Sequence, residues 1–205
     1  SKLKTHQFCF NFKGNKYYYM NVSDENPWKK IDEEIKYDNP WIRVTHSNVI
    51  NPSGHKGVYG CVHFKHWAIG IVPLDNEMNT WIVGQYRYPI KKYSWEIPEG
   101  GGDFNVSTIE SAKRELSEEC GLQAKEWTRI QKFHLSNSVC DEYGEIFLAQ
   151  DLEEFENHPD PEEELKVKKL PFEEVFKMAL NGEITDSISI MAIYKVKYLI
   201  DNNLI

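Results

Sequence analysis

Glutamates crowd into one short stretch of the chain, Arg114-Glu115-Leu116-Ser117-Glu118-Glu119-Cys120-Gly121-Leu122. On a helix, Glu115 and Glu119 would set their carboxylates one turn apart on one flank, with Glu118 just beside them. Two readings fit such a cluster. It can be a solvated acidic face with Arg114 and Glu118 as a surface ion pair, at a cost in repulsion of a few tenths of a kcal/mol per pair. It can also be a cage for a hard divalent cation, which takes several oxygen ligands and can share carboxylates one turn apart. The preceding segment, Trp95-Glu96-Ile97-Pro98-Glu99-Gly100-Gly101-Gly102, favours the cage. Three successive glycines let a backbone approach closely and present carbonyls and amides to an ion or a phosphate. Surface solvation does not explain a glycine loop that feeds an acidic helix.

The elements that must position these groups can be read from the flanks. Ser107 with Glu110 three residues on is a capping box, and Gly121 suits a left-handed helix end, so a helix is expected over Thr108–Cys120. Ile109, Ala112, Leu116 and Cys120 recur at helical spacing and predict its buried stripe. A hairpin is expected from Phe8 to about Val22, turning at Gly14-Asn15, and a strand at Trp41–Val44 between Asn39-Pro40 and the Asn51-Pro52-Ser53-Gly54 punctuation. Further strands are expected at Val58–Phe64, Trp67–Pro73, Trp81–Tyr88, Tyr93–Ile97, near Thr128–Leu135, Glu145–Ala149 and Leu165–Lys169. One closing helix should begin at Pro171, with that proline in its first turn, and end near Asn181-Gly182; another should run from about Asp186 to Ile200. Strands mixed with three helices make this an α/β chain, a sandwich built on a mixed sheet.

Composition sets the outer bounds. The 205 residues are 40% hydrophobic and 27% charged, enough for one domain, or one core domain with a small N-terminal extension, that buries its core without staples. The formal charge of −8 and pI near 5.4 argue against a nucleic-acid backbone as partner. They do not argue against an anionic small molecule, because bound cations invert the local field. Cys9, Cys61, Cys120 and Cys140 are scattered without a paired motif, which predicts reduced thiols; the seven histidines show no ligand spacing, His63 and His66 included. No apolar run is long enough to span a membrane and no secretory leader pattern is visible, so a cytoplasmic location without membrane partners is expected.

The spacing Gly100, then Arg114-Glu115-Leu116-Ser117-Glu118-Glu119-Cys120-Gly121-Leu122, resembles the signature box of the Nudix hydrolases: glycine, five residues, glutamate, seven residues, Arg-Glu, an aliphatic, any residue, Glu-Glu, any residue, glycine, aliphatic. One position departs, since Val106 stands where the box has its first glutamate. That puts the number and tightness of bound ions in question rather than the chemistry. Asn39–Val44, Gly57–Gly60, Gly84–Pro89, Ser94–Pro98 and Asp141-Glu142 are similar to the ADP-ribose pyrophosphatase branch. Neither the extra signature of the coenzyme A branch nor the proline-rich one of the NADH branch is present.

The resemblance implies a Nudix α/β/α sandwich over residues 57–205, preceded over 1–56 by a small β extension of the kind exchanged between the halves of a homodimer. It implies magnesium, with manganese as a substitute, held by Glu115 and Glu119, with Glu118 as a further ligand or bridging group and the carbonyl of Glu99 or Gly100 adding an oxygen. Arg114 would orient the glutamates. Arg87, in a Gln-x-Arg element, would grip a phosphate or ribose, the alternative being a structural ion pair. Glu96 would bind substrate or metal, the alternative being an exposed strand carboxylate. Trp28 and Trp41 would stack a nucleobase, the alternative being core packing. Of the run Glu162-Glu163-Glu164, Glu164 is the best-placed general base, with Glu118 as the fallback. The implied reaction is hydrolysis of the pyrophosphate bond of ADP-ribose or a related nucleoside diphosphate sugar. The alternatives are another nucleotide substrate, such as a nucleoside triphosphate or dinucleotide, and a silent nucleotide-binding module.

Overall fold

The computed structural model of the protein describes residues 9–10, 16–17, 25–155 and 165–205. The described residues form two compact units. One comprises those up to Glu33 together with Ser47–Tyr59; the other comprises Glu34–His46 and those of Gly60–Ile205.

In the smaller unit, β1 (Cys9–Phe10) and β2 (Lys16–Tyr17) pair antiparallel, Cys9 opposite Tyr17 and Phe10 opposite Lys16. Trp28 sets its ring edge-on to Tyr59 at 5.3 Å, and Ser47 donates to Glu33 at 2.9 Å. Strands β3 (Lys29–Asp38), β4 (Ile42–Ile50) and β5 (Lys56–Phe64) follow in the sheet order β3-β4-β5 and are not confined to this unit, each contributing residues to either one. The sequence does not announce β3. Its run Lys-Lys-Ile-Asp-Glu-Glu-Ile-Lys-Tyr-Asp is exposed at every position, so no buried face imposes an apolar alternation strong enough to read.

The larger unit holds a mixed sheet of β10 (Leu122–His134), β11 (Tyr143–Glu154), β6 (His66–Pro73) and β9 (Glu99–Asp103), in that order. The β11–β6 pair is parallel; the pairs on either side are antiparallel. A second, antiparallel sheet runs β12 (Lys166–Pro171), β7 (Asn79–Arg87), β8 (Lys92–Glu96). Three helices follow the sequence closely: α1 (Thr108–Cys120), α2 (Phe172–Leu180) and α3 (Ser187–Asp201). Pro171 does not open α2 from within the first turn; it is the last residue of β12 and the helix N-cap, at φ −53° and ψ 135°.

Why helices lie on both sides follows from β11. Successive side chains of a strand point to opposite faces. Ile146 and Leu148 pack with Phe172 and Val175 of α2 and with Ala192, Ile193 and Val196 of α3. Their neighbours Phe147 and Ala149 pack with Ala112 and Leu116 of α1. A strand apolar on both faces needs cover on both, and the result is the sandwich expected from the sequence. Burial of a side chain such as Leu116, which is wholly inaccessible, is worth roughly 1.5–3 kcal/mol.

One expectation needs correction. The glycine stretch is not a loop. Gly100, Gly101 and Gly102 lie in β9 and pair with Ile69, Ala68 and Trp67 of β6. Glycine's depletion from strands points a sequence reading the wrong way here, because the reason for glycine is a neighbouring side chain and not a turn.

Candidate active site

Helix α1 is fixed at both ends as its sequence suggests. Ser107 Oγ accepts from the amide of Glu110 at 3.4 Å, and Gly121 closes the helix in the left-handed region at φ 63°, its amide donating back to Leu116 and Ser117. Between these caps the helix buries two flanks. Ala112 and Leu116 face the core, while Glu115 and Glu119, 8% and 5% exposed, are buried along the other. Burial separates them from an ordinary acidic helix face, since ionisable groups are taken out of water only with partners or ions to meet them.

Arg114 supplies part of that partnership. Its guanidinium donates to Glu118 Oε2 and Glu115 Oε1, both at 2.6 Å, and to the carbonyl of Gly101 at 2.9 Å. It therefore ties α1 to β9 and sets the rotamers of two glutamates. Burial lowers the guanidinium's proton affinity, but Glu115 and Glu118 outweigh it and the net shift is upward, so Arg114 stays charged. The amide of Glu99 donates to Glu119 Oε2 at 3.0 Å. Gly100 lies directly against Glu115: a Cβ there would come within 2.2–2.4 Å of that carboxylate. The glycine is needed as empty space beside a carboxylate.

These groups line a cavity of about 600 Å³ that also takes in Trp41, His66, Trp67, Gln85, Arg87 and Glu142. On its far side, Arg87 donates to both oxygens of Glu96, at 3.1 and 3.0 Å from Nε, and through Nη2 to Glu99 at 3.0 Å. Glu96 is 2% exposed, which rules out the alternative of an exposed strand carboxylate. Asp186, the N-cap of α3, joins these two, so that one ligand oxygen from each of Glu96, Glu99 and Asp186 lies within 4.8 Å of the others. Burial, then the negative charges of Asp186 and Glu96, push the Glu99 carboxyl well above the usual carboxylate range, although Arg87 opposes them. Oε2 of Glu99 is buried with no hydrogen-bond partner among the described residues. Burial, and next the charge of Asp141, also raise Glu142.

The other sequence candidates are placed as follows. Glu118 is about half exposed. Trp41 lines the cavity with 66% of its surface exposed, and Trp28, at 39%, belongs to the smaller unit, so neither is a core aromatic. Glu164, with Glu162 and Glu163, lies outside the described residues; Leu165, the next in the chain, lines the cavity. Sequence reading missed the side chain of Glu99, and Asp186, His66, Trp67 and Gln85. Asp186 is far along the chain from Glu99, and only the Asp-x-x-Ser capping pattern ahead of α3 marks it at all; its amide partner Ser189 is 2.7 Å away.

The described residues therefore place buried carboxylates, two arginines and a close-approach glycine around one cavity. The NUDIX domain model matches residues 64–189. The chain belongs to that family. It is a Nudix pyrophosphohydrolase of the branch that contains the ADP-ribose pyrophosphatases. It is 30% identical over 134 residues to the ADP-ribose pyrophosphatase of Bacillus subtilis (strain 168), covering 64% of this chain and 71% of that one. To the ADP-ribose pyrophosphatase of Mycobacterium tuberculosis it is 29% identical over 177 residues, covering 84% of each. A solved structure described as an ADP compounds hydrolase superposes with a TM-score of 0.78 at 21% identity, over 89% of this chain and 98% of that one, which bears on the fold alone. Among the described residues, no helix of this Nudix chain is long and apolar enough to cross a membrane.

Proposed function

We propose that this Nudix enzyme hydrolyses the pyrophosphate bond of ADP-ribose or a closely related nucleoside diphosphate sugar, with magnesium, to a nucleoside monophosphate and a sugar phosphate. The observation that carries the reading is the pair of buried box carboxylates, Glu115 and Glu119, opening on the same cavity as Arg87 and Trp41. The names of the two curated relatives support the substrate class.

The residues fit a hard divalent cation. Glu115 and Glu119 are buried, all-oxygen donors, Gly100 keeps the space beside Glu115 clear, and the cavity they line carries more carboxylates than arginines. Glu115 and Glu119 would hold the ion, with Glu118 and the carbonyl of Gly100 as further oxygens; manganese would serve in place of magnesium. When bound, the ion neutralises the diphosphate and lowers the pKa of water. Arg114 fixes Glu115 and Glu118 before substrate arrives, so less orientation is lost on binding. Trp41 offers an exposed ring for a nucleobase. Arg87, held by Glu96 and Glu99, presents a positive charge at the cavity wall for phosphate or ribose hydroxyls. Glu164 would take the proton of the attacking water. We further propose that residues 1–56 are an N-terminal extension to a core over 57–205, that the chain works as a homodimer through that extension, bringing Trp28 towards the base, and that it acts in the cytoplasm.

The test is product identity from a panel of nucleoside diphosphate compounds with magnesium. AMP and ribose phosphate from ADP-ribose are expected. Inorganic pyrophosphate from nucleoside triphosphates, with ADP-ribose and sugar nucleotides untouched, would overturn the substrate assignment and leave the family standing. Light-scattering or sedimentation measurements of mass in solution check the dimer.

A further inference from the structure

We infer that Glu96, Glu99 and Asp186 form a second site for a hard divalent cation, separate from the one the box glutamates provide. Ligand oxygens of the three carboxylates lie within 4.8 Å of one another, a spacing at which one ion reaches all of them. The group is assembled from three elements: the end of β8, the start of β9 and the cap of α3. It is held rigidly. Ser189 Oγ accepts from the amide of Ile97 at 3.0 Å, and the amide of Ser189 donates to Asp186, so strand and helix cap cannot drift apart.

A second observation points to a missing ligand. Oε2 of Glu99 is buried and no donor among the described residues reaches it; the group it faces is the Asp186 carboxylate. Unmet acceptors in a protein interior are rare, and an unplaced ion is one of the ordinary reasons for one. The charge count agrees. Arg87 is the cation that ion-pairs with Glu96 and Glu99, which leaves the three carboxylates two negative charges in excess, the charge of one divalent ion. A carboxylate offers about four lone-pair directions, and Arg87 with the Ser189 amide occupies only part of the set. Oxygen-only donors select magnesium, calcium or manganese over softer metals.

The competing way to relieve the same charge is a proton shared between Glu99 and Asp186. Manganese binding separates the two. Loss of the free Mn²⁺ electron paramagnetic resonance signal on titration counts ions per chain and their affinities without reference to turnover. The full-length protein is compared with Asp186→Asn and with the box variant Glu115→Gln/Glu119→Gln. Asparagine caps helices as well as aspartate, so Asp186→Asn keeps α3 in place. Asp186→Asn is expected to weaken one bound ion at least about tenfold and leave the box ion unchanged, while the box variant does the reverse. Glu99→Gln should reproduce the effect of Asp186→Asn. Equal Mn²⁺ counts and affinities in the wild type, Asp186→Asn and Glu99→Gln would overturn the second site in favour of the shared proton. Failure of the reaction assigned above would appear instead as wild-type turnover of the box variant, and would leave this count untouched.

Discussion

Two carboxylates of one sheet, on strands separated by β6, could hardly be treated more differently. Glu145 on β11 is 4% exposed and fully answered: Thr108 donates to it at 2.6 Å, Tyr143 at 2.8 Å and Arg129 at 3.0 Å. Burial raises its pKa, but those donors win and the net shift is downward. Among the described residues, Glu99 on β9 shares Arg87 with Glu96, faces Asp186, keeps an oxygen that no donor meets, and shifts the other way. Unit charges within 4.8 Å of one another repel by at least roughly 3 kcal/mol per pair at an effective dielectric near 20, so the fold alone does not favour the second arrangement. Glu145 is an acid the fold uses to pin the start of α1 to the sheet. Glu99 is an acid the fold tolerates, and tolerated charge of that kind gathers where ligands bind.

The comparison can be broken most sharply at the functional end. Glu164→Gln should reduce turnover about 10²–10⁴-fold with little change in magnesium dependence, measured by initial rates across a magnesium series. A loss that moves to Glu162→Gln or Glu163→Gln places the base elsewhere in that run. Glu119→Gln should cost about 10²–10³-fold and raise the magnesium needed for half-maximal rate, with an unchanged circular dichroism spectrum; wild-type turnover at saturating magnesium would take Glu119 out of the mechanism.

Stability tests the other half. Glu145→Ala should destabilise by about 2–4 kcal/mol in urea unfolding, because it strands three donors at once. Glu99→Gln, measured in chelator at neutral pH, should by contrast leave the melting temperature equal or higher.

The smallest effect sharpens the contrast by its sign. An acid whose folded pKa lies above its unfolded one holds more protons when folded, so Glu99 costs stability progressively as pH rises above about 4.5 towards its own raised value. Glu145 lies below its unfolded value, so its contribution is present above about 4.5 and fades as pH falls through its lowered value. Melting curves across pH should show Glu99→Gln gaining on the wild type towards alkaline pH, and Glu145→Gln closing its deficit towards acid. The same sign for both would dissolve the distinction.

How much of this was legible beforehand follows the range of the signals. The box helix was readable to the residue because its caps, its stripe and its glutamates all lie within a short window, and local interactions decide them. The flanking strands were readable in type, though β10 and β11 run well beyond the apolar segments that mark them, since hydrogen-bond pairing continues after burial stops. Strand β3 was hidden by full exposure, and β9 by glycines whose purpose is steric. At the site, Glu115 and Glu119 came from spacing, and the orienting role of Arg114 from the family resemblance. Asp186 could not, because nothing in a linear sequence says that the cap of α3 will stand against the end of β8. Arg87 was read as a free grip on substrate or a structural ion pair, and its geometry has both features: it is tied to Glu96 and Glu99, and it lines the cavity.

The bond from the amide of Ile97 to Ser189 also bears on the order of events at the ribosome. The box is finished at Leu122, yet the strand leading into it receives its side-chain acceptor only when α3 has emerged. At about 5–20 residues per second, the nascent chain spends several seconds with its catalytic helix made and the segment beside it unanchored. Throughout that interval the cavity also lacks Ile188 of its lining, so the site of this hydrolase is completed late in the chain's synthesis.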